Sequence, residues 1–88
     1  MKSRVTPTFR KLLRALPNDV KRQAQAAYRQ FERDPYHVSL QFKPVNSRKT
    51  LYSARVGKHY RVIGLRERDD LIVWGWIGSH ADYDKLLK

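Results

Sequence analysis

Hydrophobic positions recur at helical spacing near the start of the chain. Thr6 followed by Pro7 is typical of a helix start, since a threonine side chain can cap the first turn and proline suits the first helical position. The apolar residues that follow are Phe9, Leu12, Leu13 and Leu16. We therefore predict a first helix from Pro7 to Ala15, which Pro17 ends.

A second helix gives the strongest periodic signal in the sequence. Asn18 or Asp19 can cap it, and Asp34 before Pro35 stops it, because a residue that precedes proline is disfavoured in helical geometry. One buried stripe is expected along this helix, formed by Val20, Ala24, Ala27, Tyr28 and Phe31. The opposite face carries Lys21, Arg22, Gln25, Arg29 and Arg33.

The rest of the chain changes to short runs rich in β-branched and aromatic residues. We predict an antiparallel meander of strands at Ser39–Lys43, Leu51–Val56, His59–Leu65 and Leu71–Ile77. Between the second and third runs stand only Gly57 and Lys58, which predicts a tight hairpin in which glycine supplies the unusual backbone angles. The tail from His80 to Leu87 is expected to form one or two helical turns.

These elements predict an α+β fold in a single domain spanning residues 1–88. Two N-terminal helices pack on a small twisted antiparallel sheet of three to four strands, and a short C-terminal helix or tail follows.

Strand alternation divides the side chains between two faces of the sheet. The helices are expected to cover the side that bears Tyr52, Ala54, Val56, Tyr60 and Val62. Arg55, His59 and Arg61 then share the open face, and the glycine after Ile77 brings His80 close to it. The predicted surface is cationic and concave, with imidazoles at its rim.

Composition and charge narrow the choice of partner. Nineteen Lys and Arg residues stand against eight Asp and Glu, a formal charge of +11, which indicates a polyanionic partner and nucleic acid first. A membrane surface is the lesser alternative, because no helix pairs a cationic face with a wide aromatic or leucine face.

The absence of cysteine excludes disulfides and thiolate metal sites. No cofactor is expected.

The N-terminal segment and the length of the hydrophobic stretches predict the cellular location of the protein. The N-terminal segment is charged and polar, with no apolar run of the kind that directs export. The longest hydrophobic stretch, Leu71–Ile77, is far too short to span a bilayer. We therefore predict a cytoplasmic protein.

The candidate site residues suit phosphate chemistry on RNA. RNA carries its own nucleophile, the 2′-hydroxyl, so a metal-free nuclease needs only a base, an acid and a phosphate clamp. Two arginines on a rigid sheet can hold a phosphate by charge-assisted hydrogen bonds, and they favour the extra charge of the transition state. Histidine can take or give a proton near neutral pH. The candidates are Arg55, Arg61, His37, His59 and His80.

Each of these features also has an ordinary structural explanation. The arginines can be solvated or can pair with acidic residues. Trp74 and Trp76 suit packing in the core better than stacking on bases. Ser79 can cap a tail helix in which His80 is merely the first residue. The residues by themselves indicate a basic α+β module that binds RNA.

Three segments carry a family resemblance. LYSARVGKHYRVIGL and WGWIGSHADYDKLL, preceded by two helices and DPYHVSLQF, resemble the RelE/ParE superfamily of toxins from type II toxin–antitoxin modules. The most specific parts are Tyr-x-x-Arg-Val-x-x-x-Tyr-Arg and the terminal Ile-Gly-Ser-His-x-x-Tyr-Asp, which are closest to the RelE and YafQ branches. The resemblance covers most of the chain. It implies a metal-independent endoribonuclease that cuts mRNA in the ribosomal A site by 2′-hydroxyl attack and so inhibits translation.

The resemblance also implies roles for individual residues. Arg61 matches the arginine that stabilises the phosphate, in the same Tyr-Arg context, and Arg55 matches a basic strand residue. His80 aligns with the terminal histidine of the YafQ branch or the terminal arginine of RelE. Tyr83 approximates the terminal tyrosine of RelE.

Further positions follow the family less closely. His37 resembles another histidine of the YafQ branch, and His59 stands near a position where that branch uses aspartate. Ser53 replaces a lysine common in RelE, which shifts the expected acid–base chemistry toward histidine. The residues expected to bind the RNA backbone are Lys43, Arg48, Lys49, Lys58 and Lys85.

A toxin of this class implies a cognate antitoxin. Its acidic, partly disordered segment would fold over the basic face and neutralise several arginines. The other expected partners are mRNA in the A site and rRNA, with no membrane, and the chain is expected to be a monomer or a hetero-oligomer with the antitoxin.

Two other functions stay open. ParE toxins share this fold but bind DNA gyrase and cut nothing, although the GSHADYD ending argues against that branch. The third interpretation is a non-catalytic RNA-binding module that docks on the ribosome.

Overall fold

The computed structural model describes residues 1–45 and 48–87 and confirms the α+β class. Its elements in chain order are β1 (Lys2–Val5), α1 (Pro7–Arg14), α2 (Asn18–Arg33), a 3₁₀ turn (Val38–Leu40), β2 (Lys43–Val45), β3 (Arg48–Val56), β4 (Tyr60–Arg68), β5 (Leu71–Ser79) and α3 (His80–Leu86). All five strands belong to one sheet in the order β1-β5-β4-β3-β2. Within the described ranges, none of the helices has the length and apolar character needed to cross a membrane.

Both N-terminal helices form where the sequence predicts them. Thr6 caps α1, because its side-chain oxygen accepts a hydrogen bond from the Phe9 N–H at 3.1 Å. The predicted cap of α2 is wrong: Asn18 is already the first helical residue, and Pro17 precedes it without a side-chain hydrogen bond. Pro17 serves through its backbone, since its carbonyl oxygen accepts from the Lys21 N–H at 3.0 Å.

The apolar stripe of α2 is only partly buried. Val20 and Phe31 are buried, but Tyr28 keeps 42% of its surface exposed. Ala24 and Ala27 are half-buried, because a groove of about 320 Å³ separates the middle of α2 from the sheet.

The helix-covered side of the sheet forms the core, as predicted. All five strand residues assigned to that side belong to the core or pack against it. The buried core comprises Phe9, Phe31, Leu40, Ala54, Val56, Val62, Ile72, Trp74 and Ile77.

Strands β3, β4 and β5 form the predicted antiparallel meander, but the first hairpin is longer than expected. Val56 pairs with Tyr60, so Gly57, Lys58 and His59 together make the connection. Gly57 has the positive φ of 60° that the turn requires. The assignment of His59 to a strand is therefore wrong.

The strand predicted at Ser39–Lys43 is also wrong. Val38–Leu40 forms a 3₁₀ turn, and Gln41 adopts a left-handed backbone with φ 47° and ψ 44°. The chain becomes extended only at Lys43, where β2 begins.

The fifth strand was not predicted. β1 pairs in parallel with β5, so the sheet is mixed and has five strands instead of three to four. β1 lies at the edge of the sheet, and only Met1 and Val5 of this segment pack on the core, which leaves no alternating hydrophobic run to mark it.

A bulge in β5 separates its two tryptophans. Ile63 pairs with Trp76 and Gly64 pairs with Trp74, which leaves Gly75 as the extra residue. Trp74 therefore lies in the core, as predicted, whereas Trp76 lies on the opposite face.

Candidate active site

Arg61 lies near the start of β4, on the side of the sheet opposite Tyr60 and Val62. It is only 5% exposed, so its predicted place on an open face is wrong. The guanidinium Nη2 donates to Ser53 Oγ at 3.1 Å, and Nη1 donates to Gln41 Oε1 at 3.4 Å. Its Nε is buried and has no hydrogen-bond partner in the part of the chain that the structure describes.

Helix α3 provides the cover over Arg61. The Tyr83 ring lies over the guanidinium, with 5.0 Å between Cζ and the ring centroid. The Trp76 ring lies 6.4 Å from the ring of Tyr83, on the same face. A desolvated cation over an aromatic ring gains about 2 kcal/mol, so Tyr83 both shields Arg61 and stabilises its charge.

His80 begins α3 and lies beside this cover. Ser79 caps the helix, as expected, since its Oγ accepts from the Asp82 N–H at 3.1 Å. The His80 ring centroid lies 6.1 Å from that of Tyr83, and Nε2 lies 3.5 Å from an oxygen of Asp84. Its side chain is 55% exposed, so His80 combines a position at a capped helix start with access to a ligand.

Arg55 and His59 have contacts of their own, and the Arg55 side chain lines grooves beside α2 together with Ala27 and Leu40. Arg55 is the partner of Arg61 in the β3–β4 register, and its Nε donates to the Gly57 carbonyl oxygen at 2.8 Å. His59 is exposed in the hairpin, and its carbonyl oxygen accepts from the His80 N–H at 2.7 Å. The hairpin thus fixes the start of α3 through backbone contact.

His37 caps the 3₁₀ turn. Its Nδ1 lies 2.7 Å from Ser39 Oγ and accepts from the Ser39 N–H at 3.2 Å. The imidazole is exposed, and the same turn leads to Gln41, which contacts Arg61. His37 is therefore connected to the cluster through the chain that follows it.

The predicted RNA-binding lysines are spread over three elements. Lys43 in β2, Lys58 in the hairpin and Lys85 in α3 are all exposed. Arg48 and Lys49 begin β3, and their side chains lie outside the described part of the structure. RNA binding by these residues stays a prediction.

Carboxylates do not neutralise Arg61. Among the side chains of residues 1–45 and 50–87, the ion pairs within 4.0 Å are Arg68 with Asp70 and His80 with Asp84. The interpretation of Arg61 as a residue paired with an acid is therefore excluded within these ranges.

Arg66 was not among the residues predicted from the sequence, although it links β4 to β3 and to the turn that follows β4. Arg66 donates to the Tyr52 hydroxyl at 3.2 Å and to the Asp69 carbonyl oxygen at 2.7 Å. Burial lowers the pKa of Arg66, but hydrogen bonds to Tyr52 and Tyr36 outweigh it and raise the pKa above its ordinary value. Arg66 lies two residues after Gly64 on β4, and alternation along a strand places such residues on the same side of the sheet, here the helix-covered side.

Residues 18–85 match the model of the ParE-like toxin domain. A comparison with curated proteins finds no match.

Solved structures share the fold over nearly the whole chain. The toxin–antitoxin complex RelB-RelE from Methanococcus jannaschii matches with a TM-score of 0.74 at 16% identity, over 97% of this chain and 99% of that one. YafQ from E. coli matches with a TM-score of 0.70 at 15% identity, covering 93% and 96%. RelBE2 from Mycobacterium tuberculosis matches with a TM-score of 0.67 at 26% identity, covering 90% and 96%. The predicted RelE-like fold is confirmed.

Proposed function

Because the chain belongs to the ParE-like toxin family, we propose that it is the toxin of a type II toxin–antitoxin module and cleaves mRNA on the ribosome without a metal ion. The observation that carries this proposal is the meeting of Arg61, Tyr83 and His80 at one end of the sheet. Arg61 supplies a guanidinium that can bind a phosphate, the Tyr83 ring holds that guanidinium in place, and His80 supplies an accessible imidazole.

Arg61 supplies charge stabilisation in this reaction. When the ribose 2′-oxygen attacks phosphorus, negative charge accumulates on the non-bridging oxygens, and a guanidinium in a site of low polarity stabilises that charge strongly. The bond from phosphorus to the 5′-oxygen then breaks, giving a 2′,3′-cyclic phosphate and a free 5′-hydroxyl. Removing one preorganised donor of this kind typically lowers kcat by about 100- to 1000-fold.

His80 is the proposed general acid. Its imidazole is exposed beside Tyr83, and it gives a proton to the leaving 5′-oxygen. His37 and His59 are the other proposed proton-transfer residues, one of which takes the proton that the 2′-hydroxyl loses on attack, and Arg55 adds positive charge from the neighbouring strand. Cytoplasmic location follows from the proposed target, the ribosome.

We also propose an antitoxin partner. The similar solved structures include complexes of RelE with RelB and of YafQ with DinJ. With a formal charge of +11, this chain suits a partner whose acidic segment folds over the basic surface near Arg61.

Gyrase inhibition is the second candidate function. The matching family model is that of ParE-like toxins, and Arg61 is covered by Tyr83 in this structure. A covered arginine suits a toxin that blocks a protein target without cutting RNA.

One experiment separates the two. Purified protein is incubated with translating ribosomes, mRNA ends are mapped by primer extension, and gyrase supercoiling is assayed in parallel. We expect A-site cleavage that falls at least about 100-fold in Arg61→Ala. Arg22→Ala is the matched control, because it removes the same charge from the exposed face of α2. Intact mRNA together with inhibited gyrase would contradict the nuclease proposal.

A further inference from the structure

Gln41 holds a backbone conformation that residues with a side chain rarely adopt. Its φ of 47° and ψ of 44° lie in the left-handed region, and no other non-glycine residue in the described ranges has a positive φ. Glycine or asparagine is the usual choice there. Strained conformations of this kind tend to cluster at functional sites, where the surrounding structure holds them in place.

The strained turn aims the Gln41 side chain at Arg61. The chain leaves the 3₁₀ turn at Gln41, and the amide Oε1 comes within 3.4 Å of Arg61 Nη1, although twenty positions separate the two residues. The second acceptor, Ser53, differs in two respects: its oxygen is closer, at 3.1 Å, and its side chain is fully buried. Gln41 is exposed, so its contact with Arg61 is the one that an incoming ligand reaches first.

We propose that Gln41 is a positioning residue, which holds Nη1 of Arg61 in the free protein and releases that donor to a phosphate oxygen of the RNA. A neutral amide oxygen at 3.4 Å is a weak acceptor, whereas a phosphate oxygen forms a shorter, charge-assisted bond with guanidinium. Ser53 keeps its bond to Nη2 throughout, so the guanidinium plane stays fixed while the ligand on Nη1 changes. This inference rests on the proposed role of Arg61 in phosphate binding.

Two substitutions at this position have opposite expected effects. Gln41→Glu places a carboxylate on Nη1 that a phosphate must displace, whereas Gln41→Gly removes the acceptor and suits the left-handed backbone. Gln25→Glu is the matched control, because it makes the same charge change at an exposed position on α2.

The first readout needs no ribosome. Inorganic phosphate is titrated into each full-length variant, and the Arg61 Nε–H resonance is followed by NMR, with melting temperature as the folding control. We expect Gln41→Glu to weaken phosphate binding about tenfold more than Gln25→Glu, and Gln41→Gly to bind at least as tightly as the unchanged chain. On translating ribosomes, Gln41→Glu should raise KM by a similar factor with kcat retained.

Three results would overturn the inference. They are equal effects of Gln41→Glu and Gln25→Glu, a loss of phosphate binding in Gln41→Gly, or no response of Arg61 to phosphate in the unchanged chain. A normal phosphate response without any mRNA cleavage would contradict only the nuclease proposal. The two failures are therefore distinguishable.

Discussion

Arg61 is a charged side chain almost entirely removed from water without a carboxylate within 4.0 Å in the described ranges. Burying a charge is costly unless hydrogen bonds replace the lost hydration. Ser53, Gln41 and the Tyr83 ring replace part of that hydration, but Nε has no partner. One donor of the guanidinium therefore remains without a hydrogen-bond partner among the described residues.

Ser53 is the residue on which this arrangement depends most for stability. Ser53→Ala leaves Arg61 Nη2 buried without an acceptor, so we expect a loss of about 1–3 kcal/mol in the free energy of unfolding. Denaturant unfolding measures it. Ser3→Ala serves as the control, because it removes the same hydroxyl from a half-buried position on the edge strand β1 and should cost less than about 0.5 kcal/mol. Equal losses in the two variants would show that the bond to Arg61 contributes nothing special.

His80 should affect catalysis and not stability. Its side chain is 55% exposed, so His80→Ala should change the free energy of unfolding by less than about 0.5 kcal/mol. Cleavage on translating ribosomes should nevertheless fall about 100-fold, as expected for loss of a general acid. Asp84→Asn tests the pair at 3.5 Å, and since that pair is exposed it should have a much smaller effect. Full cleavage by His80→Ala would remove His80 from the mechanism.

At the scale of elements, two glycines lie at the bulge in β5 and can be compared directly: Gly64 on β4, which pairs with Trp74, and Gly75, the extra residue of β5. A Cβ on Gly64 would lie 2.6 Å from Trp74 Cε3 and 3.0 Å from the Val73 carbonyl oxygen, whereas a Cβ on Gly75 would meet nothing within 4 Å. We expect Gly64→Ala to cost about 1–3 kcal/mol through overpacking, and Gly75→Ala to stay within about 0.5 kcal/mol of the unchanged chain. Thermal or denaturant unfolding checks both. A comparable loss in Gly75→Ala would contradict the register.

Helix α3 should unfold separately from the core. It has no buried residue, and Ser79 caps it. Ser79→Ala should therefore fray α3 and lower cleavage, because His80 and Tyr83 lie on this helix, and the free energy of unfolding should fall by about 0.5–2 kcal/mol as the helix loses its cap. Thr6→Ala removes the equivalent cap from α1, which buries Phe9, and should cost about 1 kcal/mol with cleavage retained. Unfolding and cleavage are measured for both variants, and an equal loss of cleavage in Ser79→Ala and Thr6→Ala would contradict this prediction.

Local chemistry explains which elements the sequence predicted. The Thr6–Pro7 start and the alternation of β3 to β5 depend on neighbouring residues, and the structure confirms them. β1 depends on a partner strand at the other end of the chain, which no local pattern records. His59 was placed wrongly because the Val56–Tyr60 pairing sets the hairpin length.

The candidate site, like the fold, could be predicted only in part from the sequence. The family resemblance pointed to Arg61, His80 and Tyr83, and the structure brings these three together. Burial of Arg61 could not be foreseen, because its cover comes from α3 and from Gln41 across the sheet. The left-handed backbone of Gln41 has no signal in a sequence that shows neither glycine nor asparagine there.

At the scale of the whole molecule, a formal charge of +11 should dominate RNA binding. Each phosphate neutralised on single-stranded RNA contributes about −0.7 to the slope of log K against log salt concentration. If four phosphates are contacted, binding of an RNA oligonucleotide should weaken about 50-fold between 50 and 200 mM salt. Arg61→Ala should make the slope shallower by about 0.7 to 1, which anisotropy titrations can measure. An unchanged slope would place Arg61 outside the RNA contact.

The parallel pairing of β1 with β5 also bears on how the chain folds. Lys2 pairs with Leu71, and the backbone N–H of Lys2 donates to Asp70, so the first strand made waits for the last strand before it finds its partner. Pairings between distant residues are slow, because the intervening chain must be ordered before they contribute. A nascent chain emerging from its ribosome therefore cannot complete the sheet, or seat α3 over Arg61, until β5 and α3 have been synthesised. The order of synthesis thus makes α3, which follows all five strands, the last described element to join the candidate active site.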